Sequence, residues 1–86
     1  MRWEARVEVR RRSGISDPEA ATIERSLPAL GYGDVHELTS GRWFRFEVEA
    51  EDEASARQRV AGLADRLLAN PVIEETALDV SPAGGG

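Results

Sequence analysis

Residues 2–10 alternate without a break. Trp3, Ala5, Val7 and Val9 face one way, and Arg2, Glu4, Arg6, Glu8 and Arg10 face the other. A period of two with one apolar side is the pattern of a half-buried β-strand, so the chain must build a sheet with one covered face. The strand runs into a polar turn, Arg11-Arg12-Ser13-Gly14. Asp17-Pro18-Glu19 then reads as a helix start: Asp17 caps the free amides, Pro18 suits the first helical position, and Glu19 complements the positive end of the dipole. Ala20, Ile23, Leu27 and Leu30 recur at helical spacing and are expected to form its buried stripe. Pro28 removes a backbone bond and predicts an end or a kink near Ser26–Leu27. Gly31 and Gly33 close the segment.

Residues 34–50 hold two extended runs. Val35 to Thr39 is the weaker. Arg42 to Ala50 is the stronger, with Phe44, Phe46, Val48 and Ala50 on one face and Trp43, Arg45, Glu47 and Glu49 on the other. Ser40-Gly41 reads either as a hairpin turn, with glycine supplying a positive φ, or as a bulge in one continuous strand. Asp52 caps a second helix whose stripe is Ala56, Val60, Leu63 and Leu67. Asn70-Pro71 ends it, because Asn tolerates the left-handed conformation and Pro cannot continue a helix. Val72 to Val80 is a last strand.

The order strand, helix, strand, strand, helix, strand predicts an α+β fold. Its two layers are a four-stranded antiparallel sheet and two helices on one face, the ferredoxin-like βαββαβ plan. Residues 1–80 are expected to be a single domain and residues 81–86 a flexible Gly-rich tail.

Composition narrows the function. The chain has 86 residues, no cysteine, one histidine and a net charge of −5. Its length is that of one domain, since about 100–200 residues per domain is usual. Disulfides, cysteine metal sites and thiol nucleophiles are excluded. No apolar run approaches the ~20 residues that span a bilayer, and the N-terminus lacks the apolar stretch of a signal peptide, so the expected compartment is the cytoplasm. The acidity argues against a non-specific nucleic-acid binder. A domain this small buries only roughly 60–65% of its unfolded surface, which makes self-association a natural source of stability.

The sheet face away from the helices is readable as well. Its first and third predicted strands contribute Arg2, Arg6, Arg10 and Arg45 against Glu4, Glu8, Glu47 and Glu49, a neutral set. If the two strands are neighbours, opposite charges can pair across them at roughly 0.2–1 kcal/mol each. Such a face is commonly solvated, but Trp43 lies on it, and an exposed Trp is a common interface anchor.

Chemistry-bearing groups are sparse. His36 has no partner of the kind zinc requires. The serines show no Ser-His-acid arrangement. Glu51-Asp52-Glu53 sits at a helix start, where the dipole favours it. Arg10-Arg11-Arg12 can hold a phosphate or simply end a strand in solvent. No P-loop and no Gly-x-Gly-x-x-Gly are present. No catalytic residue and no metal ligand are assigned.

One stretch says more. Leu67-Leu68-Ala69-Asn70-Pro71-Val72-Ile73-Glu74 closely resembles the helix-to-strand junction of the PurS family, the small subunit of phosphoribosylformylglycinamidine synthase. Gly14-Ile15-Ser16-Asp17-Pro18-Glu19 resembles the family's entry to its first helix, and Gly31-Tyr32 followed by Asp34-Val35 its helix exit. Gly41-Arg42 stands where the family usually has Gly-Lys, which keeps the charge but changes the hydrogen-bond geometry. The resemblance spans residues 2–80.

The resemblance implies a non-catalytic subunit of an ATP-dependent glutamine amidotransferase complex in purine biosynthesis. That complex converts formylglycinamide ribonucleotide (FGAR) to formylglycinamidine ribonucleotide (FGAM). A glutaminase subunit, PurQ, releases ammonia, and a synthetase subunit, PurL, uses ATP and Mg²⁺. The small subunit forms homodimers or tetramers, bridges the two and supports ammonia transfer. It carries no cofactor of its own and meets neither nucleic acid nor membrane. On this reading Gly41, Arg42, Trp43, Asn70, Pro71, Ile73 and Glu74 are the expected interface or partner contacts.

Each has a plainer reading: Asn70-Pro71 as a helix stop, Ile73 as core, Gly41 as a turn. Two other classes share the strand and helix order. An ACT-like regulatory dimer binds small effectors, and an RNA-binding module needs exposed aromatics in a basic field, which the charge opposes.

Overall fold

The structure of the protein is a computed structural model and describes residues 1–84. Strand β1 (Arg2–Arg11) is followed by helix α1 (Pro18–Ser26) and a 3₁₀ turn at Pro28–Leu30. Strand β2 (Gly41–Glu49), helix α2 (Glu53–Leu63), a π-helical turn (Ala64–Leu68) and strand β3 (Glu74–Pro82) complete the order. The sheet has three strands in the order β2-β1-β3, with β1 antiparallel to both neighbours.

The expected fourth strand at Val35–Thr39 does not form. Glu37 takes φ of 56° there, a left-handed conformation that breaks an extended run. Neither a hairpin turn nor a bulge is present at Ser40-Gly41, because β2 begins at Gly41, opposite Arg10. At the other end β3 continues through Ser81 and Pro82, paired to Glu4 and Trp3, so these two residues are strand rather than tail. Residues 85 and 86 of the expected tail lie outside the described residues.

The core is thin. Trp3, Ala5, Val7 and Val9 of β1 pack with Ala56, Val60 and Ala64 of the second helical segment and with Val80 of β3. The Trp3 indole N–H donates to the Ala50 carbonyl at 3.2 Å, which satisfies its polar atom. The helical stripe runs 56, 60, 64 and 68 rather than through Leu63 and Leu67, both of which are exposed. The turn at Ala64–Leu68 closes with the Ala69 amide donating to the Ala64 carbonyl at 2.9 Å.

Helix α1 departs furthest from expectation. Asp17 caps it as predicted, accepting from the Ala20 amide at 3.1 Å, and it ends at Ser26 before Pro28. Of its expected buried stripe only Ala20 is buried; Ile23 and Leu30 are exposed and Leu27 is half-buried. Its main packing is against the turn that follows it, so among the described residues α2 is the helix that covers the sheet. Phe44, Phe46 and Val48 on the inner face of β2 therefore stay half-buried. The molecule measures 51 × 33 × 14 Å, with a radius of gyration of 16.4 Å. A compact domain of this length has about 12 Å.

Candidate functional site

The two motifs that stand out in the sequence meet in space. Arg42, opposite Val9, and Glu74, opposite Arg11, lie on the inner face on either side of β1. Arg42 reaches across β1, with Nη1 at 2.8 Å from Glu74 Oε2 and Nη2 at 3.1 Å from Oε1. The same Nη2 donates to the Leu68 carbonyl at 2.8 Å, at the C-terminal end of the π turn, where free carbonyls favour a cation. Glu74 Oε1 also accepts from the Asn70 amide at 2.8 Å. The carboxylate is buried, and the guanidinium that binds it is half exposed. The Arg42 hydrogen bonds first, and the Asn70 amide second, hold the Glu74 carboxyl below its ordinary pKa despite burial.

The junction is closed by its own backbone. Asn70 Oδ1 accepts from the Val72 amide at 3.1 Å, and the Asn70 carbonyl accepts from the Glu74 amide at 2.8 Å. Asn70 has no positive φ, so its role is this side-chain turn rather than a left-handed cap. Arg12 secures the other side: its Nε donates to the Pro71 carbonyl at 3.0 Å and its amide to the Ile73 carbonyl at 2.9 Å. Arg42, Asn70, Pro71, Ile73 and Glu74 thus form one connected unit.

Gly41 adjoins it, for a reason other than turn chemistry. A Cβ at Gly41 would sit 2.4 Å from the Val9 carbonyl oxygen, so the close approach of β1 to β2 excludes any side chain there. Trp43 is not part of the unit. It projects from the opposite face of β2, is 58% exposed, and carries the Arg6 guanidinium 4.7 Å from its ring centroid.

Sequence reasoning missed two contributors. Asp17 was legible as a cap, but it also accepts from the Ser40 amide at 2.9 Å and the Ser40 hydroxyl at 2.8 Å, tying the start of α1 to the start of β2. Those Ser40 and Ala20 bonds lower its carboxyl pKa. Ser40 carries no periodic signal that could have revealed this. The Arg10-Arg11-Arg12 run is engaged internally: Arg10 with Glu75 at 3.2 Å, Arg11 with the Ser16 carbonyl at 3.0 Å, and Arg12 with Pro71.

Residues 4–82 match the family model PurS, described as phosphoribosylformylglycinamidine (FGAM) synthase. The chain belongs to the PurS family. Among PurS relatives, phosphoribosylformylglycinamidine synthase subunit PurS of Synechocystis is 32% identical over 96% of this chain and 83% of its own. The same subunit of Thermotoga maritima is 39% identical over 80% of this chain and 84% of its own. The PurS crystal structure from Methanocaldococcus jannaschii superposes with a TM-score of 0.82 at 30% identity, covering 93% of this chain and 96% of that one. A chain in the structure of PurLQS from Thermotoga maritima gives 0.85 at 34% identity, covering 93% and 98%. No helix among the described residues is long and apolar enough to cross a membrane.

Proposed function

We propose that this chain is the small, non-catalytic subunit of a cytoplasmic FGAM synthase, bridging the glutaminase PurQ and the synthetase PurL. The observation that carries the reading is the likeness, over nearly all of both chains, to a chain of the Thermotoga maritima PurLQS structure. On this reading the small subunit holds the glutaminase and synthetase sites in register. Ammonia in neutral water is mostly ammonium, which is not a nucleophile, so a route shielded from bulk water preserves the reactive form.

The chain acts as a homo-oligomer. Supporting this, the molecule is far more extended than its length predicts, and Ile23, Leu30, Tyr32 and Val35 lie exposed on α1 and the segment after it. A second copy covers this apolar surface and the unpaired outer edge of β2, where the sheet lacks a fourth strand. The Arg42, Asn70 and Glu74 unit serves as a rigid surface element that shapes the contact with a partner, with Pro71 and Ile73 held in place by Arg12.

Reconstitution tests the reading. Glutamine-dependent FGAM formation by PurL and PurQ should require this chain. Equal product formation with and without it would overturn the assignment.

A further inference from the structure

Residues 12–40 leave the sheet and return to it at the same end, because Arg10 stands opposite Gly41. Asp17 clasps the root of this arm, accepting from the Ser40 amide at 2.9 Å and the Ser40 hydroxyl at 2.8 Å. Arg11 adds a second fastening, its Nη1 donating to the Ser16 carbonyl at 3.0 Å. Helix α1, fixed at that root, packs mainly on the turn that follows it rather than on its own sheet. The longest dimension of the molecule, 51 Å, exceeds the roughly 33 Å of a ten-residue strand, as a projecting arm requires.

Two apolar surfaces stay open in this geometry. On the arm, Ile23 is 44% and Leu30 69% exposed, and Leu27 between them is half-buried. On the sheet, α2 packs most closely on β3, so Phe44, Phe46 and Val48 on the inner face of β2 are only half-buried. A helix with an uncovered apolar side and a sheet with a half-covered face are the two halves of one layered core. A second copy is the occupant that fits both. Each copy carries one arm and one open face, so a reciprocal exchange about a two-fold axis covers all four surfaces at once. Exchange of an identical element is an energetically easy route to a dimer, and the apolar character of both surfaces is that of a homodimer contact.

We infer that two copies exchange arms: α1 of each lies over the inner face of β2 of the other, bringing Ile23, Leu27 and Leu30 of one copy against Phe44, Phe46 and Val48 of the second. The inference rests on the reading of the chain as a homo-oligomer and names the surfaces that join the copies.

The test places a spin label near the tip of the arm. The chain has no cysteine, so Ala29→Cys, at an exposed position, gives a single attachment site. Isotope-labelled wild-type chain is refolded with an excess of the spin-labelled variant that carries no isotope. Amide signals of Phe46 and Val48 should then lose more intensity than those of Leu78 and Val80 on β3. With label and isotope on the same chain, diluted in excess unlabelled wild type, the Phe46 and Val48 signals should persist. Loss at Phe46 and Val48 only in the same-chain sample, or no loss on β2 within an intact oligomer, overturns the exchange while leaving the homo-oligomer in place. A wild-type chain that sediments as a 9.4 kDa monomer overturns the exchange and the homo-oligomer together.

Discussion

Arg42 grips both carboxylate oxygens of Glu74 across the intervening strand, joining the start of β2 to the start of β3 over 32 positions of sequence. The pair also ties down Leu68 and Asn70, so one ion pair fixes where the second helical segment stops and where β3 begins. Arg42→Ala leaves a buried carboxylate with only the Asn70 amide and should cost about 2 kcal/mol. Arg42→Lys, which keeps the charge but loses the fork, should cost about half as much. A double-mutant cycle with Glu74→Gln, read by urea denaturation, should return a coupling of about 1–2 kcal/mol.

The same pair sets a pH dependence. The Glu74 pKa lies below its ordinary value of 4.5 in the folded chain, so the unfolded chain takes up its proton first. The stabilisation is therefore complete above that ordinary value and is lost as pH falls through the lower folded-state pKa. The difference in melting temperature between wild type and Glu74→Gln should be constant near neutrality and shrink below pH 4.5. Asp17 and Asp52, both also depressed by hydrogen bonds, contribute losses in the same acidic window.

Gly41→Ala should destabilise the chain by about 1–3 kcal/mol, the usual cost of forcing extra volume into a packed site. The colliding atom is a backbone carbonyl, so no side-chain rotation relieves it. Chemical denaturation measures the loss, and amide exchange should accelerate at the β1–β2 end where Arg10 pairs with Gly41.

Asp17→Ala removes the cap of α1 and the tie to Ser40 together. Amide exchange at both Ala20 and Ser40 should rise severalfold. Ser40→Ala should affect the Ser40 side more than the helix, which separates the two roles.

Leu30→Glu places a charge on the exposed apolar surface formed by α1 and the segment after it. Equilibrium sedimentation should shift toward the 9.4 kDa monomer. An unchanged oligomer would show that another surface joins the copies.

The strand of residues 2–10, both helix caps and the core of β1 were legible because each is a local matter: period, cap chemistry and proline position act over a few residues. The outer face was partly legible. Its ion pairs between β1 and β2 form diagonally, since Glu4 faces Glu47 and Arg6 faces Arg45 directly, whereas Arg10 and Glu75 pair straight across β1 and β3. Counting β3 adds Glu75 and Asp79, so this face is acidic rather than neutral. The stripe of α1 was misread because helical spacing shows which residues share a face, not whether another element covers it.

The sequence by itself determined the α+β character, the positions of the breaks and the two motifs, Gly41-Arg42 and the Asn70 to Glu74 junction. Tertiary structure alone decided that these motifs are one unit, that Gly41 answers to the Val9 carbonyl, that Trp43 meets Arg6, and that α1 is left without a covering layer. The physical reason is reach. Alternation, caps and turns are set by neighbours along the chain, whereas ion pairs across β1 and the covering of a helix depend on which distant segments the sheet register brings together.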